Sequence, residues 1–352
     1  MARPGRGRVD GSAPVVINAR AAIRSEIGGV ERLAREMAMR LPALRPDRYQ
    51  VIRPPVALAH RAGHAWEQVA LPALAARARA LYSPANLAPL AYPRNVVVIH
   101  DVAALRHPEA YSRAYVTYQR RVLPALARGA RLVITVSEFS RAELTEVLGV
   151  DPKLIRVVPG GVGERFLHPT NQAGPIPARY GLTGSYVLAV GTSSKRKNLG
   201  ALEKAARALR ARGIELVQAG SSRGYLKGAG AAHRRLGYVA DDDLPGLYAG
   251  ARALAMPSTY EGFGLPCLEA MASGVPVVAA ARGALPETCG EAALLADPDD
   301  PGAFAEAVVL AACDERLREP LIAAGRLRAV RFPWSRTAVL TDAVIGELVD
   351  GV

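Results

Sequence analysis

The sequence predicts an α/β protein made of two Rossmann-like domains that face each other across a cleft. Short apolar runs alternate with helix-like stretches along the chain, as in parallel sheets covered by helices on both faces. The 352 residues exceed what one core normally holds, and a Pro- and Gly-rich segment interrupts the alternation at 163–180. We therefore expect ligands in the cleft, at the carboxyl ends of the strands.

The domains are expected to cover 1–170 and 171–331, with a last helix in 332–352 that begins near Trp334. The segment GGVERLAREMAMRL has the spacing of an amphipathic helix, with Val30, Leu33, Ala34, Met37, Ala38 and Leu41 on one face. Ten strands are predicted, at 15–18, 49–52, 95–100, 132–137 and 155–159, and at 186–191, 215–220, 235–239, 253–258 and 275–280.

Cysteine content and hydropathy favour a reduced, cytoplasmic protein. The three cysteines, Cys267, Cys289 and Cys313, form no CxxC pair and are expected to be small core residues. No apolar run approaches the roughly 18 residues of a membrane helix. The first dozen residues are basic but have no apolar segment behind them, so they do not predict a secretory signal.

Positive charge is concentrated in the first half of the chain. Residues 1–170 hold 25 Lys and Arg against 13 Asp and Glu, a balance of +12, whereas 171–352 hold 20 against 19, a balance of +1. One interpretation is attraction to an anionic surface, and the other is the arginine-rich composition of a GC-rich genome. Nucleic acid is disfavoured as a partner because aromatics are only 5% and no RNA-binding signature occurs.

A stripe of tyrosines is one place where the protein could contact an anionic surface. Tyr111, Tyr115, Tyr118 and Val122 fall on one predicted helical face, and Arg113, Arg120 and Arg121 lie nearby. Such a stripe could rest on the anionic inner face of the membrane and meet a lipid-linked acceptor. The alternative, which we favour for the tyrosines, is a face that packs against the core.

The segment PSTYEGFGLPCLEAMASGVPVVAA, residues 257–280, carries the strongest chemical signal. Glu261 and Glu269 lie eight positions apart, on either side of a glycine turn that leads from a strand into a helix. Glycines let a ligand approach the backbone closely, and a helix N-terminus suits a phosphate. One turn into the helix, Glu269 could accept hydrogen bonds from a vicinal diol such as a ribose, and Glu261 could hold a sugar hydroxyl.

This segment resembles the donor-binding signature of the retaining glycosyltransferases of family 4, also called group 1, in their mannosyl- and rhamnosyltransferase-like branch. The resemblance covers nearly the whole chain. It includes GGVERLAREMA, VVVIHDVAALRHPEAY, LVITVSEFSRAEL, IRVVPGGVGERF, AVGTSSKRKNL, RLGYVADDDLPGLYAGARALAMPS and GALPETCGEAALLADPDDP. It implies the GT-B fold, with the acceptor on the first domain, the nucleotide-sugar on the second, and a last helix that crosses back to the first.

The resemblance also implies a role for particular residues of the second domain. Glu269 would bind the ribose of the donor and Glu261 its sugar. Lys197 would neutralise the departing diphosphate with help from Arg196, because Thr192 stands where many members have an arginine. The backbones of Phe263, Gly264 and Leu265 would hold the diphosphate and sugar, and that of Val239 would meet the base.

In the first domain, the glycine loop and the His-Asp segment match the family. Gly28 and Gly29 would approach the diphosphate and the acceptor. His100 would contact the donor sugar near the reacting carbon, and Asp101 would orient His100 or the acceptor. Asp241-Asp242-Asp243 contains the DxD pattern of metal-dependent sugar transferases. Its position after a strand instead predicts the N-cap and first turn of a helix, so no metal or other cofactor is expected.

The sequence therefore predicts a retaining hexosyltransferase. It would move mannose or a similar hexose from a nucleoside-diphosphate sugar, with GDP-mannose favoured, to a hydroxyl of a glycan or lipid-linked acceptor. Two other interpretations remain open at this point. One is a nucleotide-sugar-binding protein without turnover, and the other is a different enzyme with two Rossmann-like domains, such as an epimerase.

Overall fold

Two six-stranded, fully parallel sheets form the framework of the computed structural model, which describes residues 13–58, 63–168, 175–220, 226 and 233–351. The first sheet has the order β2-β1-β3-β4-β5-β6 and the second the order β12-β11-β10-β7-β8-β9. The strands are β1 (Val15–Asn18), β2 (Tyr49–Ile52), β3 (Ala80–Ser83), β4 (Asn95–Val98), β5 (Leu132–Thr135), β6 (Ile155–Val157), β7 (Tyr186–Val190), β8 (Glu215–Ala219), β9 (Arg234–Gly237), β10 (Ala253–Met256), β11 (Val277–Ala280) and β12 (Leu294–Ala296).

Helices cover both faces of each sheet, as parallel strands require. Those between the strands of the first sheet are α1 (Gly29–Leu44), α2 (Gly63–Leu74), α3 (Ala103–Arg106), α4 (Arg113–Gly129) and α5 (Glu138–Leu148). The others are α6 (Pro175–Arg179), α7 (Glu203–Arg210), α8 (Leu244–Ala249), α9 (Leu265–Ala272), α10 (Leu285–Cys289), α11 (Pro301–Cys313), α12 (Glu315–Ala329) and α13 (Trp334–Val349). None of the helices in the described ranges is long and apolar enough to cross a membrane.

All ten predicted strands are present, and two strands were missed. β3 follows the alanine-rich segment LPALAARARA, which has no alternating pattern and favours a helix by propensity. It becomes a buried strand because it lies between β1 and β4. β12 has only three residues at a sheet edge, too few for a periodic signal.

Helix α1 has its predicted apolar face against the first sheet. Leu33, Met37 and Leu41 are buried in the same cluster as Val15, Ile17 and Val96, whereas Val30 and Ala38 are only half-buried. Glu31 and Arg32, which the apolar pattern assigned to the outside, are also buried. Arg32 is important below because it faces the other domain.

Helix α13 follows the second domain in the chain but packs on the first. Trp334, Ala338, Val344 and Ile345 are buried in the core cluster of the first sheet. The Thr337 hydroxyl donates to the Pro159 carbonyl at 2.9 Å. The chain therefore crosses from the second core to the first just before α13.

The predicted linker at 163–180 contains some regular structure. A 3₁₀ turn covers Glu164–Phe166 and α6 begins at Pro175, while residues 169–174 lie outside the described part of the chain. The interval between β6 and β7 nevertheless separates the strands of the two sheets.

Candidate active site

A cleft of 970 Å³ lies between the two sheets, at the carboxyl ends of their strands. Its first-domain wall follows β1, β3 and β4, and its second-domain wall follows β7, β8 and β10. In doubly wound sheets this edge is where ligands bind. Every residue predicted for the site lines this cleft.

The glycine turn between β10 and α9 has the geometry that the motif predicted. Gly264 is the N-cap of α9 with φ +100°, a conformation that favours glycine. A Cβ there would lie 2.7 Å from Leu285 Cδ2, so a side chain is excluded by contact as well. The Phe263 carbonyl accepts a 2.5 Å hydrogen bond from Thr288 Oγ1, which fixes the turn. The N-terminus of α9 thus faces the cleft through Gly264 and Leu265.

Lys197 and Arg196 converge on Glu261. The Lys197 ammonium donates to Glu261 Oε1, and Arg196 Nη1 reaches the same oxygen at 3.2 Å. Arg196 also donates to the Tyr260 carbonyl at 2.9 Å and to the Tyr111 hydroxyl at 3.1 Å. Two cations and one carboxylate therefore meet beside the turn, and the Asp101 carboxylate of the other domain lies near enough to influence Arg196.

Burial and the neighbouring charges together set the pKa values of Lys197 and Glu261. Burial lowers the pKa of Lys197 below its ordinary value, and Arg196 lowers it further, while Glu261 opposes the change. Burial alone would raise the pKa of Glu261, but Lys197 and Arg196 together hold it below its ordinary value. Glu261 is thus kept as a carboxylate.

Glu269 contacts a residue that the sequence did not indicate. Arg32 of α1, in the other domain, donates from Nη1 to Glu269 Oε1 at 2.5 Å, and the Tyr248 hydroxyl donates to Oε2 at 2.9 Å. The second terminal nitrogen of Arg32 donates to Asp241. Burial raises the pKa of Glu269 above its ordinary value, Arg32 and Tyr248 oppose that rise, and Asp241 adds to it.

Replacing Arg32 by methionine is expected to make nucleotide binding more sensitive to acid. Arg32 is the largest influence that keeps the carboxylate ionised, so its loss raises the pKa of Glu269 further. Protonation removes an acceptor for a ribose diol, and the affinity falls as pH drops through that pKa. As the pH is lowered from 8, the variant should begin to lose nucleotide affinity at a higher pH than the wild type does in calorimetric titrations.

Asp241→Asn is expected to shift the pKa of Glu269 in the opposite direction, downwards, and so to make nucleotide binding less sensitive to acid. That substitution leaves Arg32 on Glu269 and removes a negative charge that raises the pKa of Glu269. Tyr248 and Arg165 also influence Glu269 and are unchanged in both variants. The titration of the nucleotide phosphates is common to all the proteins and cancels in the comparison. Parallel pH profiles for the three proteins would contradict this role of Arg32.

The aspartate run has ion-pair partners throughout. Asp241 accepts from Arg32 and Arg165, and Asp242 accepts from Arg165 at 3.1 Å. Asp243 is the N-cap of α8, as predicted, although its carboxylate does not bond the helix amides. It accepts instead from Arg179 at 2.7 Å and from Tyr180 at 2.8 Å. In the described ranges, no group of three or more His, Cys, Asp and Glu could hold a metal ion.

His100 and Asp101 follow β4 and enter the cleft beside the turn. His100 Nε2 lies 3.1 Å from the Pro84 carbonyl, which only accepts, so the proton belongs on Nε2. Burial lowers the pKa of His100, which keeps the imidazole neutral at pH 7. Asp101 Oδ1 accepts from the Ala103 amide at 3.0 Å and so stabilises the start of α3.

The remaining predicted residues line the same cleft. The Gly28 amide donates to the Glu31 carboxylate at 3.1 Å, which holds the start of α1. Gly29 faces Leu265 across the cleft, where a Cβ would lie 3.9 Å from Leu265 Cδ2. Val239 is buried at the second-domain wall, after β9.

The tyrosine stripe packs against buried residues only in part. Tyr111 belongs to a buried cluster of the first domain, and Tyr115 packs against that cluster. Tyr111 precedes α4 and is buried, Tyr115 is half-buried, and Tyr118 is exposed. Tyr115 and Tyr118 line the cleft. The expectation of a core-facing stripe was therefore wrong for Tyr118, because this part of α4 borders the cleft.

The domains are joined at the turn itself. The Ser137 hydroxyl donates to the Gly262 carbonyl at 2.7 Å, and Ser140 Oγ lies 2.9 Å from the His100 carbonyl and 3.1 Å from that of Gly262. A Cβ on Gly262 would lie 2.7 Å from the His100 carbonyl oxygen. Glycine is thus required at 262 for the turn to reach the first domain.

A second contact joins α5 to the other domain. The Glu287 carboxylate accepts from the amides of Glu138 and Phe139 at 2.9 and 3.2 Å, so it caps the N-terminus of α5. Tyr260 inserts among Ala103, Tyr111 and other buried residues of the first domain. The sequence did not indicate these contacts between the domains, since each hydrogen bond joins positions more than a hundred residues apart.

Comparison with known proteins identifies relatives of this chain among the glycosyltransferases. Residues 184–314 match the family described as glycosyl transferases group 1, and residues 64–165 match glycosyltransferase family 4. O-antigen chain mannosyltransferase B of Escherichia coli is 34% identical over 270 residues, which are 70% of this chain and 69% of that protein. MMP α-(1→4)-mannosyltransferase of Mycolicibacterium hassiacum is 32% identical over 250 residues, which are 67% of this chain and 57% of that protein.

Solved structures share the fold. Sucrose-phosphate synthase from Thermosynechococcus elongatus aligns with a TM-score of 0.74 and 20% identity, covering 97% of this chain and all of that one. Anabaena HepE, in complex with UDP-glucose, aligns with a TM-score of 0.71 and 18% identity, covering 95% and 99%. The fold and the family matches together define a glycosyltransferase of the GT-B type. The chain belongs to the group 1, or family 4, glycosyltransferases and is similar to mannosyltransferases among them.

Proposed function

We propose that this glycosyltransferase moves mannose from GDP-mannose to a hydroxyl of a glycan or glycolipid, with retention of configuration and without a metal ion. The observation that carries the proposal is the convergence of Lys197 and Arg196 on Glu261, beside the N-terminus of α9. Two cationic side chains next to a helix N-terminus suit a diphosphate. The mannosyltransferase names of the two relatives support mannose as the sugar.

Each part of a nucleotide-sugar has a counterpart along the second-domain wall. The ribose would meet the buried carboxylate of Glu269, and the base would meet the backbone near Val239. The diphosphate would meet the amides of the turn and the Lys197 ammonium, with the sugar between Glu261 and His100. HepE, which has a similar fold, is in complex with UDP and with UDP-glucose in its structures, so the fold accommodates such a donor.

The transfer would exchange one C1–O bond for another. As the bond from C1 to the diphosphate breaks, negative charge grows on the leaving oxygen, and Lys197 and Arg196 stabilise it. The acceptor hydroxyl would attack from the same face, and its proton would pass to the departing phosphate oxygen. Neutral His100 would lie against the sugar without adding positive charge to a carbon that is already electron-poor.

The positions of the charges support transfer without a metal ion. The cations beside the turn can supply what a divalent ion supplies elsewhere. The three consecutive aspartates are each paired with arginines instead. We therefore expect transfer to continue in the presence of EDTA. The interpretations as a non-catalytic binding protein or an epimerase find no support in the relatives named above.

Nucleotide titration tests the donor assignment. GDP, UDP, ADP and dTDP would be titrated calorimetrically into the wild type, Glu269→Ala and Glu291→Ala. Glu291 is an exposed carboxylate of the same domain outside the cleft, so its loss should not alter binding. We expect GDP to bind most tightly. Its affinity should fall at least tenfold in Glu269→Ala, because charged hydrogen bonds contribute about 1.5–3 kcal/mol.

The possible outcomes test the identity of the nucleotide, the donor site and the retention of configuration separately. Tight binding of another nucleotide would replace GDP while preserving the donor site. No nucleotide binding, or equal binding by Glu269→Ala, would refute the site. With the donor known, the anomeric configuration of the product would be read by NMR, and an inverted product would refute retention.

A further inference from the structure

The first-domain wall of the cleft contains buried polar atoms that the donor does not use. Gln119 of α4 and Arg20, just after β1, line the cleft and are each 4% exposed. Gln119 Oε1 and Arg20 Nη1 have no hydrogen-bond partner in the described part of the chain. Behind Arg20, Oε2 of Glu67 also has no hydrogen-bond partner in the described part of the chain, and Glu67 is 1% exposed. Buried polar atoms normally have partners, so these atoms indicate a ligand.

The charges on this wall are balanced. Arg20 Nε lies 3.3 Å from Glu67 Oε1, which also accepts from Asn18 Nδ2 at 2.6 Å. Arg24, further along the wall, lies 3.3 Å from the Glu31 carboxylate. Burial lowers the pKa of His64, and Arg20 and Arg24 lower it further against Glu67, so this imidazole is neutral at pH 7. The described part of the wall thus offers donors and acceptors with little net charge.

Aromatic rings border the same polar atoms. The His64 and Tyr118 rings lie 6.3 Å apart at 68°, and Tyr118 is 40% exposed where it lines the cleft. Tyr115, one turn earlier on α4, lines the cleft as well. The apolar C–H face of a sugar ring packs on such a surface, while its hydroxyls require mixed donors and acceptors.

We propose that Arg20, His64, Glu67, Tyr118 and Gln119 form an acceptor subsite that takes an uncharged, hydroxyl-rich sugar rather than a sugar phosphate or inositol phosphate. The inference rests on the proposed transferase function. A phosphate dianion at Arg20 would lie close to the Glu67 carboxylate and beside a neutral His64, an unfavourable environment for it. A sugar hydroxyl can instead donate to Gln119 Oε1 and accept from Arg20 Nη1.

The test compares charged and uncharged acceptors with saturating nucleotide present. Binding would be measured by saturation-transfer NMR. The uncharged probes are methyl α-glycosides of mannose, glucose, galactose and rhamnose. The charged probes are mannose 6-phosphate, glucose 6-phosphate and inositol 1-phosphate. We expect at least one uncharged glycoside to bind and each phosphate to bind more weakly than that glycoside.

Variants assign the binding to the subsite. Gln119→Leu removes the carboxamide with little change of volume and should weaken the glycoside about tenfold, the effect of one lost hydrogen bond to a buried group. Tyr118→Phe should retain binding and Tyr118→Ala should weaken it, because the ring rather than the hydroxyl packs on the sugar. Thr117→Ala, an exposed position on the same helix outside the cleft, is the matched control.

Three outcomes would overturn the inference. They are tighter binding of a phosphorylated probe than of every glycoside, no saturation transfer to any uncharged glycoside, and equal glycoside affinity in Gln119→Leu and Thr117→Ala. Nucleotide titration of the same samples separates this failure from failure of the proposed function. A protein that binds nucleotide and prefers a phosphorylated acceptor refutes the subsite alone, whereas loss of nucleotide binding in the wild type refutes both.

Discussion

Replacing Lys197 by methionine is expected to lower kcat about 10²–10³-fold, with a much smaller change in nucleotide affinity. The Lys197 side chain is buried beside the N-terminus of α9 and shares Glu261 with Arg196. Its charge acts most strongly when the diphosphate departs, because that is when negative charge grows. Removing one preorganised donor of this kind from a dry site has an effect of that size.

The measurement is steady-state transfer with the donor identified by titration, together with the nucleotide affinity of each variant. Lys195→Met is the matched control, since Lys195 is two residues away, exposed and outside the cleft lining. It should behave as the wild type. A Lys197→Met protein that kept kcat within about threefold would show that Lys197 only neutralises Glu261, and Arg196 would become the principal cation.

Replacing Trp334 by alanine is expected to lower the free energy of unfolding by about 3–5 kcal/mol, the range for a large buried aromatic. Trp334 is 2% exposed and lies in the core of the first sheet, although it follows the second domain in the chain. A Cβ on Gly161 would lie 2.7 Å from the Trp334 amide nitrogen, so the backbones are in contact there. The melting temperature should fall by roughly 4–7 °C.

Thermal melts of Trp334→Ala and Val339→Ala would check this expectation. Val339 lies on the same helix and is 53% exposed, so its replacement should change the free energy of unfolding by no more than about 0.5 kcal/mol. A chain ending at Arg331 loses all of α13 and should be destabilised further, because each buried aliphatic of that helix contributes about 1.5–3 kcal/mol. If the shortened chain melted like the whole protein, the role given to α13 would be wrong.

Local sequence patterns were sufficient to predict most of the fold and the second-domain wall of the cleft. The ten predicted strands are apolar runs bounded by turn residues, and that pattern does not depend on the rest of the molecule. The segment containing Glu261, Gly264 and Glu269 is likewise continuous, so the strand, turn and helix that align these residues are all encoded within it. The strands missed were β3, whose composition favours a helix, and β12, which is too short to show a period.

The cross-domain part of the site could not be predicted in this way. Arg32 and Glu269 are 237 positions apart, and nothing near either residue specifies the other. On α1, Arg32 lies on the face that the apolar pattern leaves polar, where a solvated arginine is the ordinary expectation. The same holds for Gln119, whose burial results from the position of α4 beside the cleft rather than from its sequence neighbours.

The cap that Glu287 places on α5 links the local free energy of one domain to the position of the other. A separation of the domains would return the amides of Glu138 and Phe139 to water and remove a charge from the positive end of that helix. The first turn of α5 is therefore more stable when the cleft is closed. Any ligand that favours the closed arrangement then stabilises α5 by thermodynamic linkage, without touching it.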